Sequence, residues 1–332
     1  MLLPLALFLC VFAVWSAYWV VARGIAADRL DHELAQARMN GTVLDCSGQS
    51  LGGYPFRFEW RCVAPRLERV TAGGPVILTA NHVTAVALAY NPRHVIVEVD
   101  GPMQVMGEAP VPYTLELDWA RLVSSLRISN DGISRLDLSI EHPAGWLTPE
   151  GGRTRASASA DTLELHLKRS DDETLPQAWD VAVRTFAAIL LQPGREVTVP
   201  ADAGVIGTIS HAGLLDPDAM QASLAAWRDA GGLMSVNQIA LRQGEIAVEL
   251  TGELGLDSLG RPEGQFVALA AGVDPSAPIG EGITALAAAG LGALGTPAEL
   301  DGRPATEVDV VLSDGVVRIG LLPVSGLPSL TD

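Results

Sequence analysis

The run GLGALG, Gly290 to Gly295, has the G-x-G-x-x-G spacing that lets backbone N–H groups approach a dinucleotide pyrophosphate. That spacing carries meaning only between a strand and a helix, and the preceding GITALAAA already reads as helix. Gly290, Gly292 and Gly295 therefore read as packing or helix-ending residues, and the looser GEGITA at 280–285 fails on the same ground. Neither a nucleotide nor any other cofactor is expected. The six histidines, His32, His82, His94, His142, His166 and His211, are scattered without the short spacing of a zinc site. Ser210 and His211 adjoin in GTISHAG, but neighbours on a strand point to opposite faces, and no G-x-S-x-G elbow occurs. A hydrolase assembled from distant residues is the third reading, because triads are defined by geometry and not by sequence position.

Carboxylates offer more candidates. Glu98, Glu116, Asp118, Glu164, Glu245 and Glu249 recur opposite apolar residues, and paired carboxylates can cleave glycosides. Their regular placement reads better as wetting of strand faces and protection against edge pairing. Asp171, Asp172 and Glu173 precede an expected helix start, where negative charge is favoured, and they lack the spaced ligands of a calcium loop. No catalytic or metal-ligating set is expected, and the protein is read as a non-enzyme.

The elements that would position these residues begin with MLLPLALFLCVFAVWSAYWVVA, uncharged from Leu2 to Ala22 and long enough to cross a bilayer. It exceeds the usual core of a secretory signal, so residues 1–23 read as a retained anchor, with a cleaved signal as the alternative. Trp15, Tyr18 and Trp19 resemble an aromatic belt, and Cys10 reads as a membrane residue. Residues 24–40 read as a helical stalk ended by Asn40 and Gly41. The formal net charge of −17 argues against nucleic acid, and against a basic patch on anionic lipid. Membrane contact is accordingly expected through residues 2–22.

Cys46 and Cys62 stand on short strands of a hairpin, TVLDCSG and YPFRFEWRC, and are expected to form a disulfide in an oxidising compartment. Two buried free thiols are the alternative. In GGYPFRFEWRC, Tyr54, Phe56, Phe58 and Trp60 alternate with Pro55, Arg57, Glu59 and Arg61, which predicts one oily strand face. The same alternation runs through VIVEVDG, YTLELDWA, RLDLSIEH and DTLELHLKR, the pattern of antiparallel strands with one wet face. Helices are expected from Thr174 to Leu190 before Pro193 and Gly194, from Asp216 with Pro217 in its first turn to Gly231, and from Pro278 to Gly295. Asp131-Gly132 and Asp314-Gly315 fit hairpin turns. The expected class is α+β, mainly β: curved antiparallel sheet with about three packing helices behind one N-terminal transmembrane helix. A first β-rich half would cover 41–170, and a second half with helices 171–332.

The hydrophobic N-terminal segment, the charged stalk and GYPFRFEWRC ending in Cys62 together resemble a bacterial family known as domain of unknown function 2125. That resemblance implies a Gram-negative envelope protein and carries no catalytic residues. DGVVRIGLLPVSGLPSL and the segment around Leu254 and Leu256 more distantly resemble AsmA-like envelope proteins, which are implicated in lipid movement. About ten amphipathic strands and three helices leave apolar surface uncovered, so the sheet must close on itself or leave a trough. The leading reading is a single-pass inner-membrane protein with a periplasmic body that binds or transfers lipid in an apolar groove lined by Tyr54, Phe56, Phe58 and Trp60. The alternative is an envelope structural or assembly module that binds another protein through a filled scaffold.

Overall fold

The computed structural model describes residues 2–331 except 72, 109–110, 152–155, 173, 193–194, 197–198, 217–218, 273–294 and 321. The helix expected at Pro278–Gly295, the two glycine patterns apart from Gly295, Pro193 with Gly194, Pro217 and Glu173 lie outside the described residues. Among the described residues the chain is built of antiparallel strands with two α-helices, Leu2–Met39 (α1) and Met220–Asp229 (α2). Among the described residues no sheet closes into a barrel. The chain divides into two compact units, Met1–Ser159 with Leu190–Glu196, and Ala160–Ile189 with Val197–Asp332.

Anchor and stalk are one uninterrupted helix in α1, about 57 Å long at 1.5 Å per residue. It is apolar enough over its first part to cross a membrane. It ends where Gly41 turns left-handed at φ +78° and its N–H bonds the Arg38 carbonyl at 3.1 Å.

The first unit carries two sheets. One runs Thr42–Asp45, Arg66–Thr71, Gly74–Thr79, Met103–Gly107, Tyr113–Asp118, Ala144–Pro149 and Ala156–Ser159. Its register lines up Leu44, Leu67, Leu78, Val105, Leu115 and Leu147 across six strands. The other runs Gly48–Gly52, Arg57–Val63, His82–Leu88, Asn91–Asp100, Arg121–Ser129 and Gly132–Glu141. Here the matching row is Leu51, Trp60, Ala85, Val97, Ser124 and Leu138. Period-two alternation thus places the expected apolar residues on one face, because successive side chains of a strand point opposite ways. A Cys46–Cys62 disulfide joins the residue after the first sheet's edge strand to the apolar side of the second sheet. Closing a loop of this size contributes about 3 kcal/mol in the chain-entropy account.

The second unit is an antiparallel meander of Thr162–Arg169, Trp179–Gln192, Ala201–Ile209, Met234–Gln243, Ile246–Leu256, Pro262–Ala271 and Arg303–Ser313. Thr296–Leu300 and Val316–Ile319 pair along the last of these, and Leu322–Gly326 follows. Leu165, Val183, Val205, Ile239, Leu250, Ala268 and Val308 form one apolar row across seven strands. The row one residue over, with Glu164, Arg184, Gly204, Ala240, Glu249, Leu269 and Glu307, is mostly polar or small. The Asp314-Gly315 turn has φ +56° and +73°, the left-handed pair that a tight hairpin requires.

Two expectations about helices are corrected. The segment expected as a helix from Thr174 is strand Trp179–Gln192, so among the described residues α2 is the one packing α-helix beside α1. Its Val181 and Val183 are β-branched and alternate with Asp180, Ala182 and Arg184, which suits a strand paired on both sides. A register shift between Thr185 and Ala188, with Ala187 at φ +50°, changes the phase and leaves Phe186 and Leu190 exposed. That shift is what gives Trp179, Val183, Phe186 and Leu190 their deceptive helical spacing. The second helix begins at Met220, later than Asp216.

Candidate functional site: apolar sheet faces and the helix junction

The oily stretch meets α1. Its strand begins only at Arg57, so Tyr54 and Phe56 stand in the preceding turn, which a positive φ of +98° at Gly53 opens. A side chain at Gly53 would meet the Arg57 carbonyl, so that turn needs glycine. Phe58 stacks on Trp19 with ring centroids 6.0 Å apart, Tyr54 meets Trp19 edge-on at 5.3 Å, and Phe56 lies 6.2 Å from Trp15. Phe12 also reaches Tyr54, at 6.4 Å. Trp19, Phe58 and Ala89 form a buried cluster with Trp15, Ala22 and Leu51 packed around it.

Polar tips complete this junction. The indole N–H of Trp15 donates to the Pro55 carbonyl at 2.8 Å, and that of Trp19 donates to the Arg57 carbonyl at 3.0 Å. The Tyr18 hydroxyl donates to the Ala89 carbonyl at 2.8 Å, and Arg23 Nε donates to Leu51 at 2.9 Å. Ser16 and Tyr54 hydroxyls lie 2.8 Å apart. This cover was not drawn from the sequence, although Phe12, Trp15, Ser16, Trp19 and Arg23 share the three- and four-residue spacing of one helix face. Also missed was Glu59, buried behind the strand and paired with Arg57 at 2.8 Å and with Arg61.

The structure therefore separates the four aromatic candidates. Tyr54 and Phe56 flank α1 and stay partly exposed, Phe58 is sealed by Trp19, and Trp60 sits in the apolar row of its sheet. The buried Trp60 Nε1 has no hydrogen-bond partner among the described residues. Beyond that junction, the row residues Leu67, Leu78, Val105, Leu115, Val97 and Leu138 all remain partly accessible. In the second unit Leu165, Val183, Val205, Ile239 and Leu250 are likewise partly accessible, whereas Ala268, Val308 and Ile319 are sealed together. α2 packs at one end of that unit, where buried Trp227 donates to the Ser210 carbonyl at 2.7 Å.

The polar candidates are tied up locally. Ser210 is buried, and its hydroxyl donates to the Leu233 carbonyl at 3.2 Å while accepting the Leu233 N–H at 2.9 Å. His211 Nδ1 stands 3.4 Å from Ser210 Oγ, because the pair occupies a turn and not a strand. The serine proton already has an acceptor, and the contact latches two strand ends. Glu98 pairs with Arg121 at 3.1 Å, Glu164 with His166 at 3.8 Å, Glu249 with Gln238 at 2.9 Å and Glu245 with Arg303 at 3.9 Å. Asp118 accepts its neighbour's N–H at 2.9 Å, and Glu116 is also engaged.

Asp172 accepts the Thr174 hydroxyl at 2.6 Å and its N–H at 2.9 Å, which hold the carboxyl below the usual carboxylate range. Asp171 pairs with Lys168. Arg261 lowers the Asp257 carboxyl in the same direction through its side chain and N–H, with the Leu259 N–H adding to the cradle. Arg242 does so for Asp301. Among the described residues no three His, Cys, Asp or Glu side chains converge on a metal-sized site.

Two comparisons gave no match, one with curated proteins and one with solved structures. Residues 19–328, which include the aromatic turn, the disulfide and both sets of apolar rows, match a family described as an uncharacterized protein conserved in bacteria. The chain belongs to that family, DUF2125.

Proposed function

We propose that this is a non-enzymatic, single-pass protein of the inner membrane whose periplasmic body takes up the acyl part of a lipid along its apolar sheet faces. The observation that carries the reading is the row Leu165, Val183, Val205, Ile239 and Leu250, aligned on one face and left partly accessible in every strand. A filled sheet domain seals such a row, as this chain does at Ala268 and Val308. Open apolar area costs about 25 cal/mol per Å² relative to burial, so a chain laid along the row would be held by its own removal from water. The disulfide supports an oxidising compartment, and the helix α1 supports the anchor.

Native mass spectrometry of the full-length chain, released from its membrane in mild detergent, tests this reading. Retained phospholipid or fatty acid is the expected result. Protein that is always free of lipid favours the assembly-module reading, in which the rows receive another protein.

A further inference from the structure

The junction between α1 and the turn Gly53–Phe56 fixes how deep the first unit sits. The turn touches α1 at Phe12, Trp15, Ser16 and Trp19, four to eleven residues before Arg23, the first charge. At 1.5 Å per residue these contacts lie about 6 to 16 Å along the axis from Arg23, towards the membrane. The contacts therefore fall beside the uncharged run that ends at Ala22 and not beside the charged stalk that follows Arg23. We infer that the turn Gly53–Phe56 and the neighbouring turn Leu88–Asn91 are inserted in the outer leaflet of the bilayer that α1 crosses.

Two further observations point to lipid as the occupant of this tip. Its large exposed side chains are Tyr54 (47%), Phe56 (62%), Leu88 (39%) and Tyr90 (67%), apolar bodies of which two end in a hydroxyl, as at a membrane surface, with the exposed amide of Asn91 at the edge of the tip. Irregular backbone is tolerated at such depth only when its polar groups are satisfied by protein. Here Leu51, Pro55, Arg57 and Ala89 carbonyls receive Arg23, Trp15, Trp19 and Tyr18, and the Phe56 carbonyl accepts the Ala89 N–H at 2.8 Å. The belt aromatics of α1 thus act as hydrogen-bond donors for a protein turn, which lets that turn enter a region without water. This inference does not depend on lipid uptake by the sheets.

Spin labelling of the full-length chain in vesicles of phosphatidylethanolamine and phosphatidylglycerol tests it. A label on native Cys10, the exposed free thiol, reports whether α1 spans the bilayer. In Cys10→Ala protein, labels at Phe56→Cys and Tyr90→Cys report the tip, and a label at Asp100→Cys reports the other end of the same sheet. Collision with oxygen relative to a water-soluble nickel chelate should be severalfold higher at 10, 56 and 90 than at 100. Water-like values at both 56 and 90, with Cys10 in lipid, would overturn the inference. So would labels shielded from both reagents, which would mean protein cover, or water-like values at Cys10. Two tip positions guard against a single misfolded variant, and a retained Cys46–Cys62 bond checks the fold of each.

Discussion

The two units carry the same device, apolar rows crossing antiparallel strands, but they seal the ends of those rows by different means. In the first unit the sealed hydrophobic residues among those described are Trp19, Phe58, Ala89 and Cys62, so the seal is a large indole brought from α1 plus a disulfide. The second unit also buries an indole from a helix, Trp227 of α2, with Ala178, Val236 and Phe266, but the seal at the end of its row is made by small strand residues, Ala247, Ala268, Ala270 and Ala271, against Leu300, Val308 and Ile319. Small side chains let neighbouring elements approach until no space is left, whereas the first unit depends on a plug from a distant part of the chain. Both leave the middle of the rows partly open. The apolar helix α1 is thus a structural part of the first unit.

Removing the plug should have the largest effect. Trp19→Ala should destabilise the first unit by about 3–5 kcal/mol, the usual cost of emptying a buried indole site. Urea titration in micelles with limited proteolysis would read it as early cleavage within residues 42–149, and equal loss in both units would break the comparison. Next, Ile319→Ala in the sealed end should cost about 2–5 kcal/mol, while Ile239→Ala on the open row should cost about 1 kcal/mol, because little cavity forms where solvent already enters. Equal costs would mean that the row is sealed. The last pair separates two indoles. Trp227→Phe leaves the Ser210 carbonyl unpaired and should lose about 1–3 kcal/mol. Trp60→Phe removes a donor that already lacks an acceptor, and should stay within about 1 kcal/mol of the parent chain.

Much of this fold is written locally. Alternation in VIVEVDG, RLDLSIEH and DTLELHLKR predicts strands that exist, and the same residues occupy the aligned rows. Asp314-Gly315 and the Cys46–Cys62 pair are local signals too, because turn chemistry and short loop closure involve few residues. The strand at Trp179–Gln192 escaped because its bulge at Ala187 shifts the pattern by one phase, and periodicity cannot show a phase change. Tyr54 and Phe56 fit the alternation of the following strand yet belong to a turn, since cross-strand pairing begins nearer Arg57. Their cover by Trp15 and Trp19 is a contact across nearly forty residues, which no local pattern encodes. The accessibility of the rows is equally non-local, because it depends on how elements distant in sequence pack over them.

We propose that the aligned rows are open to lipid. A photoreactive phenylalanine analogue at Ile239, on the apolar row, and another at Gln238, on the wet face, would test it in the full-length chain within its native membrane. Irradiation should attach phospholipid at 239 and little or none at 238. Protein adducts alone at 239, or equal lipid labelling at both positions, would contradict it.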